Sequence, residues 1–145
     1  MPAFSGSFQG TVRGQSSASV LDQANHMLGL AAISGTQKTT DERWNNTPIT
    51  YWGISDIVGG IGTQHGYFVD DHGAAGRDFG TFEGKVTMVD GQLSVQGNWK
   101  YTGGTGDFTD LSGGGTFTTR MTAPSEVQAT WQGAYELGTV KVRGA

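Results

Sequence analysis

The chain predicts an all-β protein, an eight-stranded antiparallel barrel with a central cavity. Three observations carry this expectation. Apolar and polar residues alternate with period 2 over most of the chain, and Asp-Gly and Gly-Gly turn signals separate the alternating runs. Glycine occupies 25 of 145 positions, where ordinary domains carry about 7%. Only 3 prolines accompany these glycines and no tract is glycine-only, so they read as bends in coiled strands rather than as linker. Consecutive hairpins need no long crossovers, which favours a barrel over a two-sheet sandwich. Residues 1–145 fit one domain, and 4 Trp, 7 Phe and 4 Tyr supply its core.

Taken in order, residues 4–13 alternate, with Phe4, Phe8 and Val12 set against Ser5, Ser7, Gln9 and Thr11. A polar loop is expected over 14–25. Residues 26–36 are apolar on both faces and read as a strand rather than a short helix. A second polar loop is expected over 37–47; Asn45-Asn46-Thr47 within it matches a glycosylation sequon and reads as loop. Residues 49–58 and 61–71 are rich in β-branched and aromatic types and flank Gly59-Gly60, a hairpin turn.

The run from Gly80 to Met88 and the run from Gln92 to Tyr101 flank Asp90-Gly91, whose type I′ turn needs positive φ at both positions. That turn sets Met88 opposite Leu93, Val86 opposite Val95, Gly84 opposite Gly97 and Phe82 opposite Trp99. A slip of one residue would destroy every one of these matches. Residues 117–122 and 126–137 form a last hairpin around Ala123-Pro124-Ser125, placing Phe117 opposite Trp131 and Gly115 opposite Gly133. These make eight strands, with a short ninth at 140–143. The facing glycines are barrel corners that leave room beside the rings.

The formal charge is −4 and the 9 basic residues are scattered, so no basic stripe marks a nucleic-acid partner. No run approaches the ~20 apolar residues of a membrane-spanning helix. The start, Met1 to Gly6, lacks the charged and apolar regions of a signal peptide, and cysteine is absent. A cytoplasmic protein without disulfides or thiolate metal sites is expected, with no nucleic-acid and no membrane partner.

The glycines at 103, 104 and 106 lack the Lys-Ser/Thr and helix of a phosphate loop and the βαβ unit of a dinucleotide loop. Asp70-Asp71-His72 precedes Gly73-Ala74-Ala75-Gly76 and reads as a solvated hairpin loop rather than a metal site. The sharper candidate lies on the Gly59-Gly60 hairpin. Its register pairs Asp56 with Thr63, Ile54 with His65 and Trp52 with Tyr67, so Asp56 and His65 are diagonal neighbours on one face. Turned inward, a carboxylate-oriented histidine beneath Trp52 and Tyr67 acts as general acid or base. Turned outward, it leaves Tyr51, Ser55, Gln64 and Phe68 to line a neutral cavity. Both faces carry apolar residues, so parity leaves the two orientations open. Glu83 shares a polar face with Lys85 and is expected outside. Trp99, Tyr101, Trp131 and Tyr135, in line with Phe82 and Phe117, are the expected cavity wall, their polar tips needing partners.

Two segments carry a family resemblance. Thr102-Gly103-Gly104-Thr105-Gly106-Asp107-Phe108, followed by glycines 113 to 115 and Phe117, resembles the Gly-Gly-Thr-Gly-x-Phe stretch of dirigent proteins and allene oxide cyclases. Gln64-His65-Gly66-Tyr67 resembles the Gln-Gly-x-Tyr stretch of the same superfamily, with the glycine displaced by one. The likeness covers roughly residues 60 to 120. It implies an eight-stranded barrel that holds apolar substrates without a cofactor, steers cyclisation or radical coupling, and assembles as a homo-oligomer. The carboxylate that allene oxide cyclases carry near the first strand has no counterpart in residues 4–13. Thr109 stands where dirigent proteins place an arginine. The functional expectation is a cofactor-free barrel binding a small apolar or aromatic molecule, as an isomerase, cyclase or lyase. The alternatives are a non-catalytic binding module and a structural, self-assembling barrel.

Overall fold

The structure, a computed structural model, describes residues 2–138. Its strands are β1 (Ala3–Ser19), β2 (His26–Thr36), β3 (Lys38–Thr39), β4 (Pro48–Val58), β5 (Ile61–Asp71), β6 (Arg77–Val89), β7 (Gln92–Gly104), β8 (Leu111–Ala123) and β9 (Glu126–Leu137). All but β3 form a closed antiparallel barrel, ordered β1-β2-β4-β5-β6-β7-β8-β9 and back to β1. The 17-residue β1 performs the closure. Ala3 to Thr11 pair with β9, and Gly10 to Ser19 pair with β2 on the other edge. Closure leaves no long strand edge unpaired among the described residues.

The hairpin registers follow the turns. Asp90 and Gly91 have φ of 51° and 81°, as a type I′ turn requires, and Phe82, Gly84, Val86 and Met88 face Trp99, Gly97, Val95 and Leu93. Phe117 faces Trp131 and Gly115 faces Gly133. On the Gly59-Gly60 hairpin Val58 faces Ile61 and Trp52 faces Tyr67.

Two expectations need correction. Residues 14–19 are not a loop: they extend β1 past a bulge at Val12/Gly14 and pair with Met27 to Ala32. Polar side chains are tolerated there because both faces of this extension are exposed. Residues 37–47 are not simply polar loop either. They contain β3, which pairs with Gly6 and Ser7, and Trp44, which is 0% exposed. The expected strand at 140–143 lies outside the described residues.

The two ends of the barrel differ. Tight turns at 59–60, 90–91 and 124–125 and the turn at 20–25 close the hairpin end. At the other end the 37–47 segment and two short 3-10 turns, Gly73–Ala75 and Gly106–Phe108, fold over the opening. The Trp44 ring plugs it, lying 4.9 Å from Phe4, 4.8 Å from Tyr135, 5.6 Å from Phe108 and 6.1 Å from Tyr101 between centroids. No helix among the described residues is long and apolar enough to cross a membrane.

Candidate functional site

The inward face of each strand converges on an aromatic interior. Phe8, Tyr51, Phe68, Phe82, Trp99, Tyr101, Phe117 and Trp131 surround a void of about 70 Å³, with Gln37, Gln64 and Asp70 as polar members of its wall. Typical ligand pockets run roughly 300–1,000 Å³. The reason for the small volume is visible at the glycines. A Cβ on Gly133 would lie 2.7 Å from the Trp99 ring, one on Gly6 2.5 Å from the Trp131 ring, and one on Gly80 2.6 Å from the Phe68 ring. The space beside Gly6, Gly80 and Gly133 is filled by rings, and that beside Gly84, Gly97 and Gly115 is closed by the backbone of the neighbouring strand, rather than left vacant as expected.

Of the residues singled out in the sequence, Tyr51, Gln64, Trp99, Tyr101 and Trp131 line this void. Tyr135 is buried but sits under the Trp44 plug, its hydroxyl donating to Asp41 Oδ2 at 2.6 Å and accepting from Arg43 at 3.1 Å. Burial pushes the Tyr51 phenol well above its ordinary value. Tyr101 moves the same way by burial, reinforced by the charges of Asp78 and Asp70. Neither hydroxyl has a hydrogen-bond partner among the described residues, whereas Trp99 donates to the Thr116 carbonyl and Trp131 to Gln37 Oε1. Gln64 donates to Ser55 Oγ at 3.0 Å.

The inward Asp56–His65 pair is overturned. Tyr51 and Phe68 take the inner face of β4 and β5, which by strand parity sends Trp52, Asp56, His65 and Tyr67 outside. Trp52 is 38% exposed and Tyr67 60%. The physical reason is size: β4 and β5 present Gly53, Ser55, Gly66 and Phe68 on the same face as Tyr51, a set that packs inside a narrow barrel, while the opposite face carries the bulkier Trp52 and Tyr67 together with Asp56 and His65. Asp56 binds a different histidine. His26, diagonal to it on β2, has Nε2 2.6 Å from Asp56 Oδ1 and Nδ1 2.6 Å from Asp22 Oδ1. Hydrogen bonds to Asp22 and Asp56 raise the His26 pKa. Glu83 is exposed, as expected.

The residues that sequence reasoning missed lie at the plugged end. Asp70 and Asp78 are directly opposite one another on β5 and β6 and are 2% and 0% exposed. The reading of 70–72 as a solvated loop therefore fails for Asp70 and for His72, whose side chain is covered. Asp70 Oδ1 accepts from Gln37 Nε2 at 2.7 Å. Asp78 Oδ2 accepts from Trp44 Nε1 at 2.8 Å and lies 2.6 Å from His72 Nε2, while Asp78 Oδ1 has no partner among the described residues. His72 stacks on Phe108 at 3.9 Å, and its Nδ1 lies 3.1 Å from the Arg43 carbonyl, an acceptor only. The imidazole ring therefore donates from Nδ1. Burial, reinforced by the neighbouring Asp78 carboxyl, holds Asp70 well above the carboxylate range. The sequence offered no signal for this cluster, because the inward face of residues 61–71 was open and Asp78 lay outside the expected strands. No cluster of three or more His, Asp or Glu arranged to hold a metal occurs among the described residues.

No protein-family model matches the chain, and no curated protein matches it at a significant level.

Proposed function

We propose that the barrel takes a small, largely apolar or aromatic molecule into its interior without a cofactor. The observation that carries this reading is the pair of Tyr51 and Tyr101 in the void's wall, whose hydroxyls make no hydrogen bond among the described residues. Buried tyrosine hydroxyls ordinarily find one. An occupant bearing a polar atom would supply it, with the rings of Trp99, Phe82 and Trp131 against its apolar body. The void of about 70 Å³ restricts the unperturbed site to a very small guest, and a larger one enters by displacing the half-buried Phe117 or Gln64. Asp70 in the wall supports isomerase, cyclase or lyase chemistry over simple storage. The same reading includes a homo-oligomer, supported by the exposed outer strip of Leu28, Leu30, Trp52, Ile54 and Tyr67 on β2, β4 and β5.

Phenol titration followed by amide NMR tests the cavity. Saturable shifts confined to inward positions are expected, weaker in Tyr101→Phe, stronger in Phe117→Ala and unchanged in His65→Gln. Absence of saturable binding in both wild type and Phe117→Ala would leave a filled, structural barrel.

A further inference from the structure

We infer that Asp70 and Asp78 form a buried acid pair sharing a single proton, which lies between the two carboxyls in the empty site and turns from Asp78 towards the cavity when the occupant brings a carbonyl-type acceptor. The inference rests on the cavity reading for its substrate class, but the proton sharing stands on the pair alone.

The two carboxyls differ in what surrounds them. Asp78 has the richer set of polar partners. Its Oδ2 receives the Trp44 N–H and faces His72 Nε2 at 2.6 Å, and the ring's other nitrogen donates to the Arg43 carbonyl. Asp70 has a neutral amide donor, Gln37, and otherwise aromatic neighbours around the void. Two carboxylates placed opposite each other in a dry site cannot both ionise. A hydrogen on Asp70 resolves both problems at once: it removes the second charge and gives Asp78 Oδ1, otherwise an orphaned buried acceptor, its missing donor. The other titratable groups around the pair do not change this assignment. Tyr101 is held neutral by burial, Asp41 and Arg43 are tied to Tyr135, and Asp71 next along the chain is exposed.

The pair also connects two spaces. Asp70 lines the interior void, while His72 lines a broad depression on the outside of the plugged end, together with Arg43, Asp71 and Phe108. A hydrogen bond from Asp70 polarises an acceptor atom inside with no net proton transfer, and the hydrogen stays on the acid pair while His72 and Trp44 hold Asp78 in place behind it. The chemical class of occupant follows: an apolar body with one ketone, enone or comparable oxygen, which a neutral acid can polarise and which a carboxylate would repel.

Infrared difference spectroscopy at neutral pH reads the proton directly. A protonated-carboxyl carbonyl band is expected in the wild type, shifted in heavy water and absent in Asp70→Asn. In Asp78→Asn the band should disappear at a pH lower by about one unit or more, because the neighbouring negative charge is gone. Should either variant fail to fold, carboxyl-¹³C aspartate in the wild type gives the same reading, with one side chain still protonated at neutral pH. Saturating cyclohexanone should shift both this band and its own carbonyl stretch. No protonated carboxyl at neutral pH, or a band that survives Asp70→Asn, overturns the inference. A band that ignores bound cyclohexanone removes the donor role. A band present while neither cyclohexanone nor phenol binds upholds the shared proton and fells the cavity reading instead.

Discussion

Replacing Trp44 tests whether the 37–47 segment is part of the core or a flap laid upon it. The ring is 0% exposed and meets five other rings, Phe4, His72, Tyr101, Phe108 and Tyr135, at centroid distances from 4.8 to 6.1 Å. Truncating such a side chain to alanine costs about 3–5 kcal/mol in transfer and cavity terms. Its Nε1 also donates to a fully buried carboxylate, a bond to a charged group worth about 1.5–3 kcal/mol. Trp44→Phe keeps much of the packing and loses the donor, so a loss of about 2 kcal/mol is expected. Trp44→Ala should lose about 4 kcal/mol or more. With a urea m-value of about 2 kcal/mol/M, the alanine midpoint falls by about 2 M and the phenylalanine midpoint by about 1 M, at unchanged slope. Domains have only about 5–15 kcal/mol in total, so the alanine variant is close to the edge of folding. A midpoint shift below about 0.5 M in the alanine variant would refute the reasoning, since a ring so placed can be dispensable only if the segment detaches without disturbing the barrel.

Two further outcomes follow from the structure. The Asp22–His26–Asp56 clamp makes stability pH-dependent: because the folded His26 pKa is raised above 6.5, its contribution is complete below that value and disappears as pH rises through the folded pKa. The Asp22 pKa is lowered by the hydrogen bond to His26, so that part vanishes as pH falls from 3.8 through the lowered value. Urea unfolding of wild type against His26→Gln should therefore differ most at mildly acidic pH and converge in alkali, and a difference constant with pH would count against the clamp. At Gly97, an added Cβ would lie 1.9 Å from the Glu83 carbonyl oxygen, whereas one at Gly14 meets nothing within 4 Å. Gly97→Ala should lose about 1–3 kcal/mol or more in thermal unfolding, and Gly14→Ala should be within about 0.5 kcal/mol of wild type. Equal effects at the two sites would show that the strands at the Gly84–Gly97 corner can separate without penalty.

Much of the barrel was legible because its information is local. Asp90-Gly91 dictates positive φ in its own turn, and the turn dictates who faces whom, so Phe82 against Trp99 follows from neighbours in the chain. The extension of β1 through Ser19 was not legible, because residues 14–19 have no apolar face and are ordered only by pairing with β2. Of the candidate site, the aromatic wall was legible from parity, but not its fullness. The volume depends on which ring lies over which glycine across the barrel, as Trp99 does over Gly133 and Trp131 over Gly6.

By itself, then, the sequence determined strand pairing within hairpins, the alternation of faces and the all-β class, since each depends on backbone dihedrals and a period of two. Tertiary structure alone decided which face of β4 and β5 turned inward. Both faces carry apolar side chains there, and the choice depends on what the closed barrel has room for: Tyr51, Gln64 and Phe68 rather than Trp52, His65 and Tyr67. It alone assembled Gln37, Trp44, Asp70, His72 and Asp78 into one buried network. Trp44 lies 34 positions from Asp78, and Trp131 lies 94 from Gln37. Polar residues at such separations show no periodicity and are brought together only when the barrel closes and its 37–47 segment folds over the opening.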